Sequence, residues 1–259
     1  MTDTFTAVHS MNPLWRKVLQ PLRHSVRIKG FLYRCIWLLP ERFRSQALIR
    51  GALKELADRQ GGNVTFVNIG ANDGLSGDHL REFIIRKRWR GLLVEPVPFV
   101  FDRLRRAYRG VDTVQFEQAA IAAQDGTTPF WFLQKNNTLA PGYDQIGSFS
   151  RDYLLHHAGM FPGLEPFITS MAVPSLTLAS LLRKHGMSQL DILFIDAEGF
   201  DGKIVKQIDF SHPPSLVIFE HAAMSAAERE ECHQLLAKEG YRIADDGSNT
   251  IATRAEKAR

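Results

Sequence analysis

The stretch TFVNIGANDG, residues 65–74, decides the fold of this chain. Its first half is a mainly apolar run that is typical of a buried strand. The run stops abruptly in glycines, asparagines and an aspartate. Glycine lets the backbone turn sharply and approach a ligand, because it has no Cβ that would collide. A strand that ends in this way is typical of α/β proteins that hold a nucleotide-like ligand beyond the sheet edge.

Apolar stretches and amphipathic helical patterns alternate after residue 62, which predicts a parallel sheet covered on both faces. The end of the chain, YRIADDGSNTIATR, predicts two strands joined at Asp246-Gly247, a favoured tight-turn pair. That hairpin adds one antiparallel strand. We therefore predict a Rossmann-like α/β fold with a mostly parallel seven-stranded sheet and helices on both faces. The pattern fits class I methyltransferases and dinucleotide-binding proteins equally well.

Residues 1–60 differ in character from the rest of the chain. They combine Trp, Leu, Ile and Phe with many arginines, and Pro21 and Pro40 interrupt them. This predicts two or three amphipathic helices that form an N-terminal extension. The extension either packs on the main domain or contacts an anionic membrane surface from one side. Residues 61–259 are predicted to form the α/β domain, with an irregular insertion over 135–172 that covers the substrate.

Composition sets limits on the class of protein. The 259 residues are 44% hydrophobic and 23% charged, which is ordinary for a soluble globular protein. A net charge of +4 is a weak indicator of nucleic-acid binding. Cys35 and Cys232 are far apart and form no CxxC motif, which argues against a disulfide framework or a structural zinc site. We expect a cytoplasmic protein, and we find no apolar run of the ~20 residues that a spanning helix requires.

The glycine-bearing turn carries the first candidate ligand contacts, from Gly70, Asn72, Asp73 and Gly74. Its spacing differs from the G-x-G-x-x-G of dinucleotide sites. Asp73 and Asp78 also put negative charge where a diphosphate would lie. The sequence therefore favours a cationic or zwitterionic ligand.

Three further strand ends carry suggestive side chains. Glu95 in LLVEP follows the glycine turn at about the twenty-residue distance that suits an acid binding ribose hydroxyls. Small residues in EQAAIAAQDG leave room for an adenine ring, with Gln118 and Ala119 at its edge. Asp196 and Glu198 end the apolar strand in LDILFIDAEGFD. Charges there are costly unless they face a polar cleft, so the sequence predicts such a cleft.

These motifs resemble, in order, those of the FkbM-type S-adenosylmethionine-dependent methyltransferases, over about residues 64–253. The resemblance rests on FVNIGANDG, LLVEP, LDILFIDAEGFD and LVIFEH. It implies S-adenosylmethionine as cofactor and methyl transfer to hydroxyls of sugars, glycolipids or other secondary metabolites. Asn68 stands where the family more often has an acid, so we expect a hydrogen bond there instead of an ionic contact. The implied cofactor contacts are Asn68, Gly70, Asn72, Asp73, Gly74, Glu95, Gln118, Ala119 and Asp196.

Methyl transfer to an alcohol benefits from a general base, because the hydroxyl is a poor nucleophile until its proton leaves. His221, after the strand LVIFE, is the first histidine candidate; His156 and His157 in the insertion are others. Asp196 is an alternative base. A further alternative is a divalent cation that acidifies the hydroxyl, although spacing alone establishes no metal site. Its ligands would be Asp196, Glu198 and Glu220.

Two other functions compete with this interpretation. An NAD-dependent oxidoreductase would share the fold class but lacks the full glycine fingerprint. A non-catalytic membrane-surface module on a degenerate methyltransferase fold would use residues 1–60. We expect no nucleic-acid partner, because the sequence has no Asn-Pro-Pro-aromatic motif and no basic stripe beyond the N-terminal helices. The predicted partner is therefore a small-molecule or glycan acceptor.

Overall fold

A computed structural model of the chain describes residues 41–60, 62–134, 139, 143 and 146–254, with side chains from residue 47 onward. The chain divides into two compact units, residues 1–47 and 48–259. The helices predicted within residues 1–40 lie outside the described residues, and their membrane contact stays a prediction. Among the described helices, none has both the length and the apolar character that crossing a bilayer demands.

The helices and strands of the described residues follow in chain order. They are α1 (Glu41–Gln60), β1 (Thr65–Ile69), α2 (Arg81–Lys87), β2 (Arg90–Val94), α3 (Pro98–Ala107), β3 (Val114–Glu117), β4 (Ala120–Ile121), β5 (Gly126–Leu133), β6 (Gly147–Ser148), α4 (Arg151–His156), β7 (Ile168–Leu176), α5 (Leu178–Lys184), β8 (Ile192–Ile195), α6 (Asp201–Val205), β9 (Leu216–Glu220), α7 (Ala226–Lys238), β10 (Tyr241–Asp245) and β11 (Asn249–Arg254). Two short 3₁₀ helices, His157–Gly159 and Glu165–Phe167, lie between α4 and β7.

Seven strands form the main sheet in the order β10-β11-β9-β8-β1-β2-β3. Strand β11 runs antiparallel to β9 and β10, and the other neighbouring strands are parallel. This confirms the predicted mostly parallel sheet and its terminal hairpin. The chain moves outward from β1 through β2 to β3, and later from β8 to β9 on the other side. The order therefore reverses between β1 and β8, and such a reversal opens a crevice at the carboxyl edge.

Side chains of the central strands alternate between the two faces of the sheet, as a period of two requires. Val67 and Ile69 share one face with their counterparts in β2, β8 and β9, and this face packs against α5, α6 and α7. Phe66, Leu93 and Phe194 on the opposite face are buried too, like apolar residues of α1, α2 and α3. Both faces are therefore covered, as the sequence predicted.

A second sheet, β4-β7-β5-β6, corrects the sequence prediction in two places. The stretch VQFEQAAI, residues 114–121, predicts a single strand, but β3 ends at Glu117 and β4 joins the second sheet. The stretch 135–172 was expected to be irregular, yet it contains β6, α4 and the start of β7. Antiparallel pairing with β5 supplies backbone hydrogen bonds to β7. Local periodicity does not reveal such distant pairing.

The sequence after the glycine turn predicts a helix from about Gly77 to Arg88, but α2 begins at Arg81. Asp78 explains the later start, because its Oδ1 accepts hydrogen bonds from the amides of Leu80 and Arg81, at 2.9 and 3.0 Å. The first amides of a helix have no partner within the helix, and Asp78 accepts from that of Arg81. The residues before it remain in the glycine turn.

Candidate functional site

The glycine turn is held against its neighbouring strands by its backbone. The amides of Gly70 and Ala71 donate to the carbonyl oxygen of Val94, at 3.0 and 2.9 Å. Gly70 has φ +78, and an added Cβ would lie 1.8 Å from the carbonyl oxygen of Asp196. Glycine is therefore required at this position, where β1 and β8 approach each other at the carboxyl edge.

A central cleft opens beside this turn and encloses about 580 Å³, part of it open to solvent. Of the predicted cofactor residues, Gly70, Asn72, Glu95, Ala119 and Asp196 line it. Gln118 is half-buried outside the lining. The structure thus brings the ends of β1, β2 and β8 together with the segment after β3. The remaining residues that line the central cleft are Ile69, Pro96, Val97, Ala120, Ile121, Phe130, Gly147, Phe149, Ala197 and Glu198.

Asp73 and Gly74, which are also predicted to contact the ligand, form the interior of the turn. Asp73 Oδ1 accepts from the amides of Leu75 and Ser76, at 2.9 and 2.8 Å. Burial opposes ionisation of Asp73, but these hydrogen bonds hold its pKa below its ordinary value. An added Cβ at Gly74 would lie 2.7 Å from the side chain of Leu104. Both residues shape the turn, and the structure does not bring them to the central cleft.

Glu95 is the most buried acid of the central cleft, with 6% of its surface exposed. Its Oε1 accepts from the amide of Val97 at 2.9 Å, and its Oε2 accepts from the amide of Asn72 at 3.2 Å. Burial raises the pKa of Glu95 to about 7. Each carboxylate oxygen retains a second lone pair, so Glu95 can accept hydrogen bonds from two neighbouring hydroxyl groups.

An inner recess adjoins the central cleft and shares Gly70, Asn72, Asp196 and Glu198 with it. Asn68 reaches this recess, not the cleft, and its remaining lining includes His79, which stacks on Phe194 with 5.8 Å between ring centres. Burial lowers the pKa of His79, which favours the neutral ring. The sequence reasoning missed His79, because a single histidine in a turn carries no distinctive pattern.

The segment Asp196–Gly199 follows β8 in an unusual conformation. Glu198 has φ +48, in the left-handed region that few non-glycine residues adopt. Asp201, which is 1% exposed, accepts from the amides of Ala197 and Gly199 at 3.1 and 3.3 Å. Burial and the nearby Asp196 raise the pKa of Asp201 to about 7. The turn directs Asp196 and Glu198 toward the central cleft.

Three acids meet at this edge of the sheet. Asp196, Glu198 and Glu220 each place one carboxylate oxygen so that the three lie within 4.8 Å of one another. Burial raises the pKa of Asp196 to about 6, although its side chain keeps surface open to the cleft. Burial and the neighbouring acids raise the pKa of Glu220 to about 8. Such a cluster could hold a divalent cation or the positive part of an organic ligand.

An outer cavity of about 1350 Å³, open to solvent, lies next to the central cleft. Phe149 and Glu198 line both spaces. His156 and His157, the alternative base candidates, also line the outer cavity. His157 Nδ1 lies 3.2 Å from the carbonyl oxygen of Tyr153 and therefore donates to it. Tyr153, whose hydroxyl donates to Glu198, was not singled out from the sequence.

The structure does not bring His221 to the central cleft, the inner recess or the outer cavity. Its ring is buried, with Nδ1 2.9 Å from Thr250 Oγ1 and Nε2 3.4 Å from Asp245 Oδ1. The preceding residue, Glu220, lines the outer cavity instead. Consecutive residues at a strand end point to opposite faces, which separates this pair.

Comparison with known proteins agrees with the sequence motifs. The family model described as Methyltransferase FkbM domain matches residues 68–243. A search of curated proteins gave no match.

Several solved structures are similar at low identity. Methyltransferase FkbM from Methylobacillus flagellatus KT is 12% identical, with a TM-score of 0.46, over 74% of this chain and 44% of that chain. Precorrin-6y C5,15-methyltransferase from Geobacter metallireducens GS-15 is 11% identical, with a TM-score of 0.39, over 74% of this chain and 81% of that chain. Aeropyrum pernix fibrillarin, crystallised with natively bound S-adenosyl-L-methionine, is 11% identical, with a TM-score of 0.36, over 74% of this chain and 65% of that chain. The chain thus spans less than half the length of the first of these proteins.

Proposed function

The chain belongs to the FkbM methyltransferase family, and we propose that it transfers a methyl group from S-adenosylmethionine to a hydroxyl group of a small-molecule or glycan acceptor. One observation carries this proposal. The central cleft and the outer cavity share a wall at Phe149 and Glu198, so a carboxylate stands where two ligands would meet. Transfer between two bound molecules requires such a junction, because the reacting atoms must be held close and aligned.

The chemistry of the central cleft fits the cofactor. Glu95 suits the two ribose hydroxyls, and the apolar wall that includes Ala119 and Ile121 suits an adenine ring. Asp196 and the inner recess suit the amino-acid part, with Asn68 as a hydrogen-bonding partner. When bound, S-adenosylmethionine supplies a methyl group on a positively charged sulfonium. The acid cluster favours a positive ligand, since a nearby cation stabilises ionised carboxylates.

Glu198 is the base candidate that this proposal uses. Its carboxylate borders both spaces, so it can accept the proton of an acceptor hydroxyl beside the cofactor. Asp196 stands on the cofactor side, and His157 is a second base candidate within the outer cavity. His221 is not used, because its ring is buried against Thr250.

The outer cavity suits a ring compound that carries hydroxyl groups. Phe149, Tyr153 and Phe200 offer aromatic surface, and Ser148 and Lys203 add polar groups. Aromatic faces pack on apolar ring faces, while a few polar groups fix orientation.

A cytoplasmic location, the absence of a nucleic-acid partner and membrane contact through residues 1–60 belong to this proposal as well.

Calorimetric titration separates the cofactor assignment from its rival. We expect S-adenosylmethionine and S-adenosylhomocysteine to bind, and NAD⁺ and NADH to bind much more weakly or not at all. Tight NADH binding without binding of either adenosyl compound would overturn the assignment and favour the oxidoreductase.

Labelling tests the acceptor group. Incubation with methyl-labelled S-adenosylmethionine and separate glycan and metabolite extracts should give a labelled product that survives mild alkali, because methyl ethers resist it. Label that mild alkali releases would indicate a carboxyl ester and would contradict hydroxyl transfer.

A further inference from the structure

Two residues of the insertion that line the outer cavity contact Glu198 directly. Tyr153 Oη donates to Glu198 Oε2 at 2.6 Å, and Ser148 Oγ donates to the carbonyl oxygen of Glu198 at 2.7 Å. A hydroxyl that donates to a carboxylate makes a short, strong hydrogen bond. The insertion therefore fixes both the side chain and the backbone of this acid.

The backbone at Glu198 is itself constrained. Its φ of +48 is unfavourable for a residue with a Cβ, and such conformations persist only where the surroundings hold them. Asp201 holds the amides on either side, at Ala197 and Gly199, while Ser148 holds the carbonyl oxygen. Glu198 is thus presented at one place and in one direction.

Charge makes the phenol contact important. Burial first, and then Asp196 and Glu220, raise the pKa of Glu198 well above its ordinary value, and the hydrogen bond from Tyr153 opposes that rise. Burial and Glu198 raise the pKa of Tyr153 in turn, so its hydroxyl keeps its proton and remains a donor. Tyr153 therefore stays a donor to Glu198 Oε2, and this contact fixes the direction of the carboxyl group.

We propose that Tyr153 is a positioning residue, whose hydroxyl holds Glu198 Oε2 so that Oε1 receives the proton of the acceptor hydroxyl. The proton passes to Oε1, and the electron pair of the broken O–H bond stays on the acceptor oxygen. This inference rests on the proposed function. It also assigns the insertion a role beyond covering the acceptor, because placement of the insertion decides whether the base is held.

A test that needs no acceptor uses two cofactor analogues. S-adenosylhomocysteine lacks the transferred methyl group, whereas sinefungin carries a charged amine near that position. We expect the wild type to prefer sinefungin, since the amine would face a held carboxylate. Calorimetry in EDTA should show that Y153F loses roughly five- to tenfold in sinefungin affinity, the size expected for one ordinary hydrogen bond, with S-adenosylhomocysteine affinity within about twofold of wild type.

Two further variants separate positioning from general damage. Tyr241 Oη donates to the carbonyl oxygen of Pro214 at 2.5 Å, so Y241F removes another buried phenol contact, outside the cavities. We expect Y241F to keep the preference for sinefungin. E198Q should abolish it, and Y153F added to E198Q should change nothing more.

The outcomes are distinguishable. Equal loss of preference in Y153F and Y241F, or an unchanged preference in Y153F, would overturn the positioning role while leaving the cofactor assignment intact. Failure of the wild type to bind either analogue would overturn the proposed function itself.

Discussion

The central cleft and the outer cavity are built in different ways. The cleft takes its polar groups from strand ends, where Gly70 and Glu95 are fixed by backbone contacts to adjacent segments. The outer cavity takes many of its groups from the insertion, where Tyr153 and His157 project from one short helix and the turn after it. The difference teaches that the central cleft depends on the sheet, whereas the outer cavity depends on an element added to the sheet.

The largest effect that we predict concerns the sheet. G70A would place a Cβ 1.8 Å from the carbonyl oxygen of Asp196 in a left-handed backbone conformation. Strands β1 and β8 would have to separate, so we expect a loss of more than about 4 kcal/mol of stability, measured by thermal or chemical unfolding. G110A is the matched control: its φ is +83, but an added Cβ meets nothing within 4 Å. It should cost only about 1 kcal/mol. Similar losses in both variants would show that backbone conformation, not strand approach, sets the requirement.

The next effect concerns cofactor binding by the cleft. E95A removes the carboxylate that we assign to the ribose. We expect the binding free energy of S-adenosylmethionine to weaken by about 2–3 kcal/mol, measured by calorimetry. E117A is the control, because Glu117 ends the neighbouring strand but pairs with Lys184 and His185 instead of lining the cleft. It should leave affinity unchanged. Equal affinities of E95A and the wild type would place the ribose elsewhere.

The two regions also differ in how far the sequence could predict them. Strand ends follow from apolar runs, so the meeting of Gly70, Glu95 and Asp196 could be expected. The contact of Tyr153 with Glu198 spans 45 residues, and no local pattern encodes it. Nor could the chain's pattern separate a ligand-binding turn from the hydrogen-bonded turn that Asp73 makes.

The placement of His221 shows that the sequence does not reveal which of two consecutive residues faces a cavity. Glu220 and His221 are equally polar neighbours at the end of β9, and only the orientation of the strand end decides which one enters the outer cavity. We predict that H221A lowers the free energy of unfolding by about 1–3 kcal/mol, because it truncates a buried ring and removes one of the two histidine contacts of Thr250. Affinity for S-adenosylhomocysteine should stay near that of the wild type. H157A, on the acceptor side, should leave stability nearly unchanged. Lost turnover in a fully stable H221A would restore His221 as a catalytic candidate.

A further prediction is a pH dependence that arises where the two regions meet. Burial, together with Asp196 and Asp201, raises the pKa of Glu220 from 4.5 to about 8. Between these values the folded protein holds a proton that the unfolded chain has released, so stability must fall as pH rises through this window. The Tm of the ligand-free protein in EDTA should therefore drop from about pH 5 to about pH 8.

The Tm of E220Q should drop less over the same window. The two drops should differ by about 2–4 °C for each kcal/mol by which the stability changes of E220Q and the wild type differ. The slope should not vanish, since Glu95 and Asp201 also have a pKa raised to about 7. E230Q alters an exposed glutamate of α7 and should follow the wild type. If E220Q and E230Q gave the same slope, Glu220 would be solvated in the folded protein, and the junction of the two cavities would be more open than its acid cluster implies.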